Sequence, residues 1–243
     1  MTKPGFFELW VYLAASPLLG LTLTLVAYQL AHLVYAKAQF NPLANPVPIA
    51  IALIVAALAA TGTDYKTYFD GAQFVHFLLG PAVVALAVPL YQNWARLRRL
   101  ALPLAAGLAA GASAAVATTL LLASAFDLPT ATKVSLAVKS VTAPIAMGIA
   151  EKSGGAPALA AVFAIATGII GAVSARFVLD ACRIREPAAR GFATGLAAHG
   201  IGTARAYQVS EVMGAFAGLA LGLHGLVASF LLPGLLRWLG AGA

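Results

Sequence analysis

Apolar residues in this chain come in long continuous runs, not in alternation with polar ones. Eight segments stand out, at roughly 9–36, 46–62, 72–91, 100–125, 134–150, 156–177, 191–206 and 212–236, separated by short linkers marked by Pro, Gly, Asn or charge. Several reach the roughly twenty residues that an α-helix needs to cross a hydrocarbon core of about 30 Å. Stretches such as PVPIAIALIVAALAATG (46–62) lack the period-two pattern that a membrane β-barrel strand requires. The pattern predicts an all-α polytopic membrane protein, a single transmembrane domain over residues 1–243. Its backbone polar groups must be satisfied within helices or in irregular segments sheltered from lipid. The first run begins near Phe6 without a small-residue cleavage site, so it reads as a retained membrane segment.

Composition agrees with this pattern. Apolar residues make up 61% of the chain and charged residues 9%, where a soluble domain carries about 25% charged residues. The formal net charge is +7, but the charges sit in connecting loops, which fits membrane topology better than nucleic-acid binding. The single cysteine, Cys182, excludes an intrachain disulfide.

Two linkers are basic, one with Arg96, Arg98 and Arg99, the other with Arg183, Arg185 and Arg190. The positive-inside rule puts both on the cytoplasmic face, yet three apolar segments lie between them. One of the three must fail to cross. Segment 134–150 is short and contains Lys139, Pro144 and Gly148, so it is predicted to be re-entrant or broken. Segment 191–206 is predicted to be irregular for the same reason. About six full crossings remain, with both termini outside. LLGPAVVALAV (78–88) also echoes VTAPIAMGIAE (141–151), and LPLAAGLAAG (102–111) echoes APALAAVFAIATG (156–168). Such repeats with interrupted segments mark transporter-like inverted repeats, with a site near the midplane.

Polar residues inside the apolar runs carry the candidate chemistry. Lys139, Ser140 and Thr142 precede Pro144. A lysine there costs at least a few kcal/mol, and proline removes a backbone donor. The four predict an unwound stretch whose freed groups line a wet cavity, with the positive end of the restarting helix pointing into it. The alternative is a lysine that snorkels to the interface ahead of an ordinary helix. The second candidate is AHGIGTAR (198–205). Gly200 and Gly202 permit close backbone approach or unusual dihedrals, Thr203 offers a hydroxyl, Arg205 a fork for a carboxylate, and His199 a proton near neutral pH. Its alternative is a glycine-smoothed helix contact. Gln73 and His76 share a helix face and are possible pathway residues. Neither a metal constellation nor a nucleophile–base pair is evident, so no cofactor or metal is expected and an enzyme is disfavoured. A ring of like charges, which a channel would need, is also missing.

The blocks YFDGAQFVHFLLGPAVVALAVPLY (68–91), KSVTAPIAMGIAEKSGGAPALAAVFAIATGIIGA (139–172), REPAARGFATGLAAHGIGTARA (185–206) and GAFAGLALGL (214–223) resemble the LrgB/CidB family of bacterial membrane proteins. The likeness runs from about Pro42 to residue 240. It implies a multi-pass protein of the bacterial cytoplasmic membrane, holin- or antiholin-like, that modulates murein hydrolase activity and autolysis with a small LrgA/CidA-type membrane partner. Plant relatives in the plastid envelope imply transport of small monocarboxylates such as glycolate, glycerate, lactate or pyruvate. Carried over, the two blocks place Lys139, Ser140, Thr142, His199, Gly200, Gly202, Thr203 and Arg205 around the substrate. A transporter of this kind is the expected function, regulation of autolysis the alternative, and a homo-oligomer is expected. His224 stands where the family is expected to have a small residue, and it is left out of the site.

Overall fold

The computed structural model describes residues 17–78, 81, 91–92 and 94–238. Every regular element among them is helical. The chain divides into two compact units, Met1–Ala85 and Leu86–Ala243.

In the first unit α1 (Pro17–Lys37), a 3-10 turn (Pro42–Ala44), α2 (Pro46–Thr61) and α3 (Tyr65–Phe77) follow one another. Two Asn-Pro pairs start helices here: the Asn41 and Asn45 side chains accept from the Leu43 and Val47 N–H groups at 3.0 and 2.9 Å, and each proline opens a helix. Gly62 closes α2 at φ 65°, a left-handed cap that glycine adopts without strain. Helix α1 crosses α3 at Gly20, where a side chain would strike the backbone of Gly71 and Ala72. One turn on, Thr24 and Tyr68 share a hydroxyl hydrogen bond of 2.7 Å. The predicted segment 72–91 falls partly on α3. Most of its remainder, including the first half of the internal echo, lies outside the described residues.

The second unit contains α4 (Trp94–Arg99), α5 (Ala101–Ala125), α6 (Thr130–Ala137), α7 (Ala143–Lys152), α8 (Pro157–Ala181), α9 (Pro187–Val209) and α10 (Glu211–Trp238). Helices α1, α5, α8 and α10 are each long and apolar enough to cross a membrane. These four, with the shorter apolar α2, are what the described residues show of the six crossings expected.

Segments 130–152 and 187–209 each double back. In the first, α6 and α7 flank a five-residue turn at 138–142. The Ser135 hydroxyl donates to the Ala156 carbonyl at 3.2 Å and accepts from the Ala156 N–H at 2.9 Å. The later part of α6 therefore lies beside the segment that joins α7 to α8. In the second, α9 reverses within one residue. His199 has φ 38° and ψ −129°, and a side chain on Gly202 would lie 2.8 Å from the Thr194 carbonyl oxygen. In a straight helix those residues would stand about 12 Å apart. Helix α8, of 25 residues and about 37 Å, joins the hairpins. Their open ends consequently sit at opposite ends of α8, and their tips point toward each other.

The segment expected to be re-entrant at 134–150 is thus a hairpin. With it, the basic stretch before α5 and the basic stretch after α8 fall at the same end of the unit, as the charge rule requires. The irregularity of 191–206 is confined to one residue; the helix resumes at Gly200.

Candidate functional site

The two tips meet at a histidine. His224 lies midway along α10, is 4% exposed, and donates its Nδ1–H to the Leu196 carbonyl at 3.1 Å. In an uninterrupted helix that carbonyl would accept from the Gly200 N–H. The rotated peptide planes at His199 remove this partner, and the imidazole replaces it. The same ring faces the backbone of Ser140 in the first tip and the imidazole of His199 in the second. Sequence reasoning set His224 aside. Its neighbours are separated from it by tens of residues, so no local spacing reveals the role.

His199 carries the reversal. A positive φ on a non-glycine residue is strained, and surrounding contacts hold it. Its Nε2–H donates to the Ala164 carbonyl on α8 at 2.8 Å. Its ring lies over Gly168, where a methyl group would come within 2.7 Å of Cε1. Thr203 Oγ1–H donates to the His199 carbonyl at 2.8 Å. The sequence reading gave Gly200 and Gly202 either a close backbone approach or unusual dihedrals; the structure puts the unusual dihedral on His199. Gly202 is needed for close approach to Thr194, whereas a side chain on Gly200 would meet nothing within 4 Å.

At the first tip the helix stops at Ala137 and restarts at Ala143, with Pro144 in its opening turn. Pro144 is exposed and Ser140 is buried. The Lys139 ammonium donates to Thr119 Oγ1 on α5 at 2.5 Å. Thr142 precedes α7 without a capping bond from its side chain. A buried apolar cluster around Val134, Val138, Ala146, Ala164 and Ala228 holds this hairpin against α8 and α10.

Lys139 and Arg205 were expected around one anion, and the structure separates them. Because α9 reverses at His199, its second half carries Arg205 about 9 Å back from the tip. Arg205 lines a cavity of about 480 Å³ at the open end of the second hairpin, together with Arg176, Arg185, Arg190 and Asp180. A second cavity, of about 550 Å³, runs between α5 and α10 and reaches His224 through an otherwise almost wholly apolar wall. Gln73 belongs to the first unit. It is exposed and donates to the Asp70 carbonyl of its own helix at 2.7 Å. The side chain of His76, on the same helix, lies outside the described part. No group of three or more metal-ligating side chains is found among the described residues.

These features define a multi-pass helical membrane protein with two helical hairpins that meet at a buried histidine. The chain belongs to the LrgB-like family, whose model matches residues 24–238. It is 34% identical over 217 residues to YxaC of Bacillus subtilis, an uncharacterised protein, covering 89% of this chain and 94% of that one. It is 30% identical to the holin-like protein CidB of Staphylococcus epidermidis, with 88% and 93% covered. It is 28% identical to the antiholin-like protein LrgB of Bacillus cereus, with 93% and 98% covered. No solved structure matches.

Proposed function

We propose that this protein is a holin- or antiholin-type component of the bacterial cytoplasmic membrane that influences murein hydrolase activity and autolysis with a small LrgA/CidA-type partner. The observation that carries this reading is the near full-length similarity to CidB and LrgB proteins named holin-like and antiholin-like.

A second and finer reading accounts for the interior. The chain acts as a carrier of small monocarboxylates, and the flux it carries is the signal to which autolysis responds. A lesion-forming protein needs apolar helices that associate, but it has no need for two broken segments whose tips meet on a histidine. Discontinuous helices meeting near the midplane, with half-helix ends and freed backbone groups turned inward, are the usual construction of a secondary-transport site. The equal lengths of the parts support an inverted repeat. Helices α5 and α8 have 25 residues each, and each is followed by a hairpin of 23 residues, the second being α9. In this reading Lys139 supplies positive charge at one tip, the polar groups at 140–142 and 199–203 orient the substrate, and the basic end faces the cytoplasm.

Proteoliposomes of purified protein separate the two readings. Saturable uptake of labelled glycolate, glycerate, pyruvate or lactate that is lost in Lys139→Met, with the variant folded and reconstituted, establishes the carrier. Release of an entrapped neutral dye on addition of the small partner, with no carboxylate uptake, establishes the holin-type reading alone.

A further inference from the structure

The cavity at the open end of the second hairpin has been described only as the place where Arg205 lies. Its walls come from α8, the loop after it, both halves of α9 and the start of α10. It exists only because α9 doubles back, bringing Arg190 and Arg205 to one space although a straight helix would hold them about 22 Å apart. Four arginines face one carboxylate, Asp180, so the lining carries a net positive charge of about three. Asp180 already behaves as a bound acid would: its two oxygens lie 2.7 Å from Arg190 Nη1 and 3.8 Å from Arg176 Nε. Arg190 is partly buried and also donates to the Ile184 carbonyl at 2.8 Å, which fixes its fork. The Ser210 hydroxyl accepts from the Met213 N–H at 3.1 Å, leaving its proton to donate.

The inner wall is apolar and deep. Ala172, Ala175 and Met213 contribute to it, and Ala172 adjoins Gly171, which packs against Ala198, the residue before the hinge. The space therefore extends from a guanidinium-rich mouth to about one helical turn short of the tip, where Ala172 and Thr194 close it. Guanidinium forks recognise carboxylates in a bidentate fashion, an apolar floor suits a short aliphatic tail, and the volume falls within the ordinary range for small-molecule sites.

We propose that this cavity is a vestibule that binds a small monocarboxylate before it reaches the hairpin tips, with Asp180 as the internal competitor that the substrate displaces from Arg190 and Arg176. The proposal rests on the carrier reading and names the first binding site of that carrier.

The test measures equilibrium binding of labelled pyruvate to purified protein in neutral-lipid nanodiscs, alongside uptake into proteoliposomes. Arg176→Ala and Arg185→Ala remove charge from exposed positions where folding is undisturbed. Each is expected to weaken binding at least threefold, and the double variant at least tenfold, with the half-saturation constant for uptake rising in step. Asp180→Asn, which releases two guanidiniums, is expected to tighten binding two- to threefold. Unchanged binding in the folded double variant, or no binding to wild type, overturns the vestibule. Pyruvate binding abolished by anionic lipid at a constant ionic strength also overturns it, because the site then belongs to a lipid headgroup. Binding that depends on the arginines without any uptake keeps the cavity and removes the carrier. Uptake with a half-saturation constant untouched by the arginine variants does the reverse.

Discussion

The two hairpins share a length and approach each other from opposite ends of α8, but they turn by different means. The first stops its helix at Ala137, spends five residues on a turn, and restarts with Pro144. Local chemistry does most of this, since proline cannot continue the preceding helical turn and is at ease in the first turn of the next. The second keeps helical geometry on both sides and reverses at His199 alone. Nothing in the local sequence favours a positive φ on histidine; contacts from α8 impose it, through the Ala164 carbonyl and the space left by Gly168. One tip is built from sequence and the other from tertiary contact. The second is therefore expected to be the more easily damaged, and substitutions at matched positions measure the difference.

The largest effect is expected at the glycines that seat each hairpin. A methyl group on Gly195 would stand 2.6 Å from the Ala217 backbone carbon on α10, and neither helix can move without unseating the hairpin. Gly195→Ala is expected to cost about 3 kcal/mol by overpacking, lowering the melting temperature in detergent by roughly 6–12 °C. Gly148, on α7, has nothing within 4 Å of the same construction. Gly148→Ala is expected to stabilise by up to about 1 kcal/mol, the helix-propensity difference. Equal losses at the two positions would refute the seating asymmetry.

Next comes the hinge. His199→Ala loses the bond to Ala164 and the ring packing while keeping a side chain at φ 38°. His199→Gly loses the same contacts but relieves the strain. Both should melt below wild type, with glycine above alanine by about 1 kcal/mol. Should alanine match or exceed glycine, the contacts from α8 do not hold a strained backbone and the hinge must be explained otherwise.

What could be read from the sequence follows the same division. The break at 139–142 was legible because Pro144 and a lysine within an apolar run are local signals. The charge rule pointed the same way: two basic linkers at one end called for a segment that turns back between them, and 130–152 doubles back. The hinge was half legible. Glycines near it announced an irregularity, but the residue that takes the unusual dihedral is one that local rules would exclude. His224 and the arginine cavity were illegible. Arg176, Arg185 and Arg190 look like ordinary linker charges until α9 reverses and encloses a space between them, and His224 is meaningful only because two distant breaks arrive at its ring.

The smallest effect is expected at Pro144, and it tests the claim that local chemistry makes the first turn. Pro144 is exposed and occupies the opening turn of α7, where a backbone N–H has no intrahelical partner in any case. Replacing it with alanine removes no hydrogen bond and opens no buried space. The remaining cost is the added freedom of the unfolded chain, about 0.4–1 kcal/mol, or roughly 1–4 °C in melting temperature. If Pro144→Ala instead costs as much as His199→Ala, the first turn depends on its proline for more than preorganisation. The cluster around Val134, Val138 and Ala146 would then be insufficient to hold the tip against α8 and α10, and the contrast between the two hairpins would fail on the side where it looked most secure.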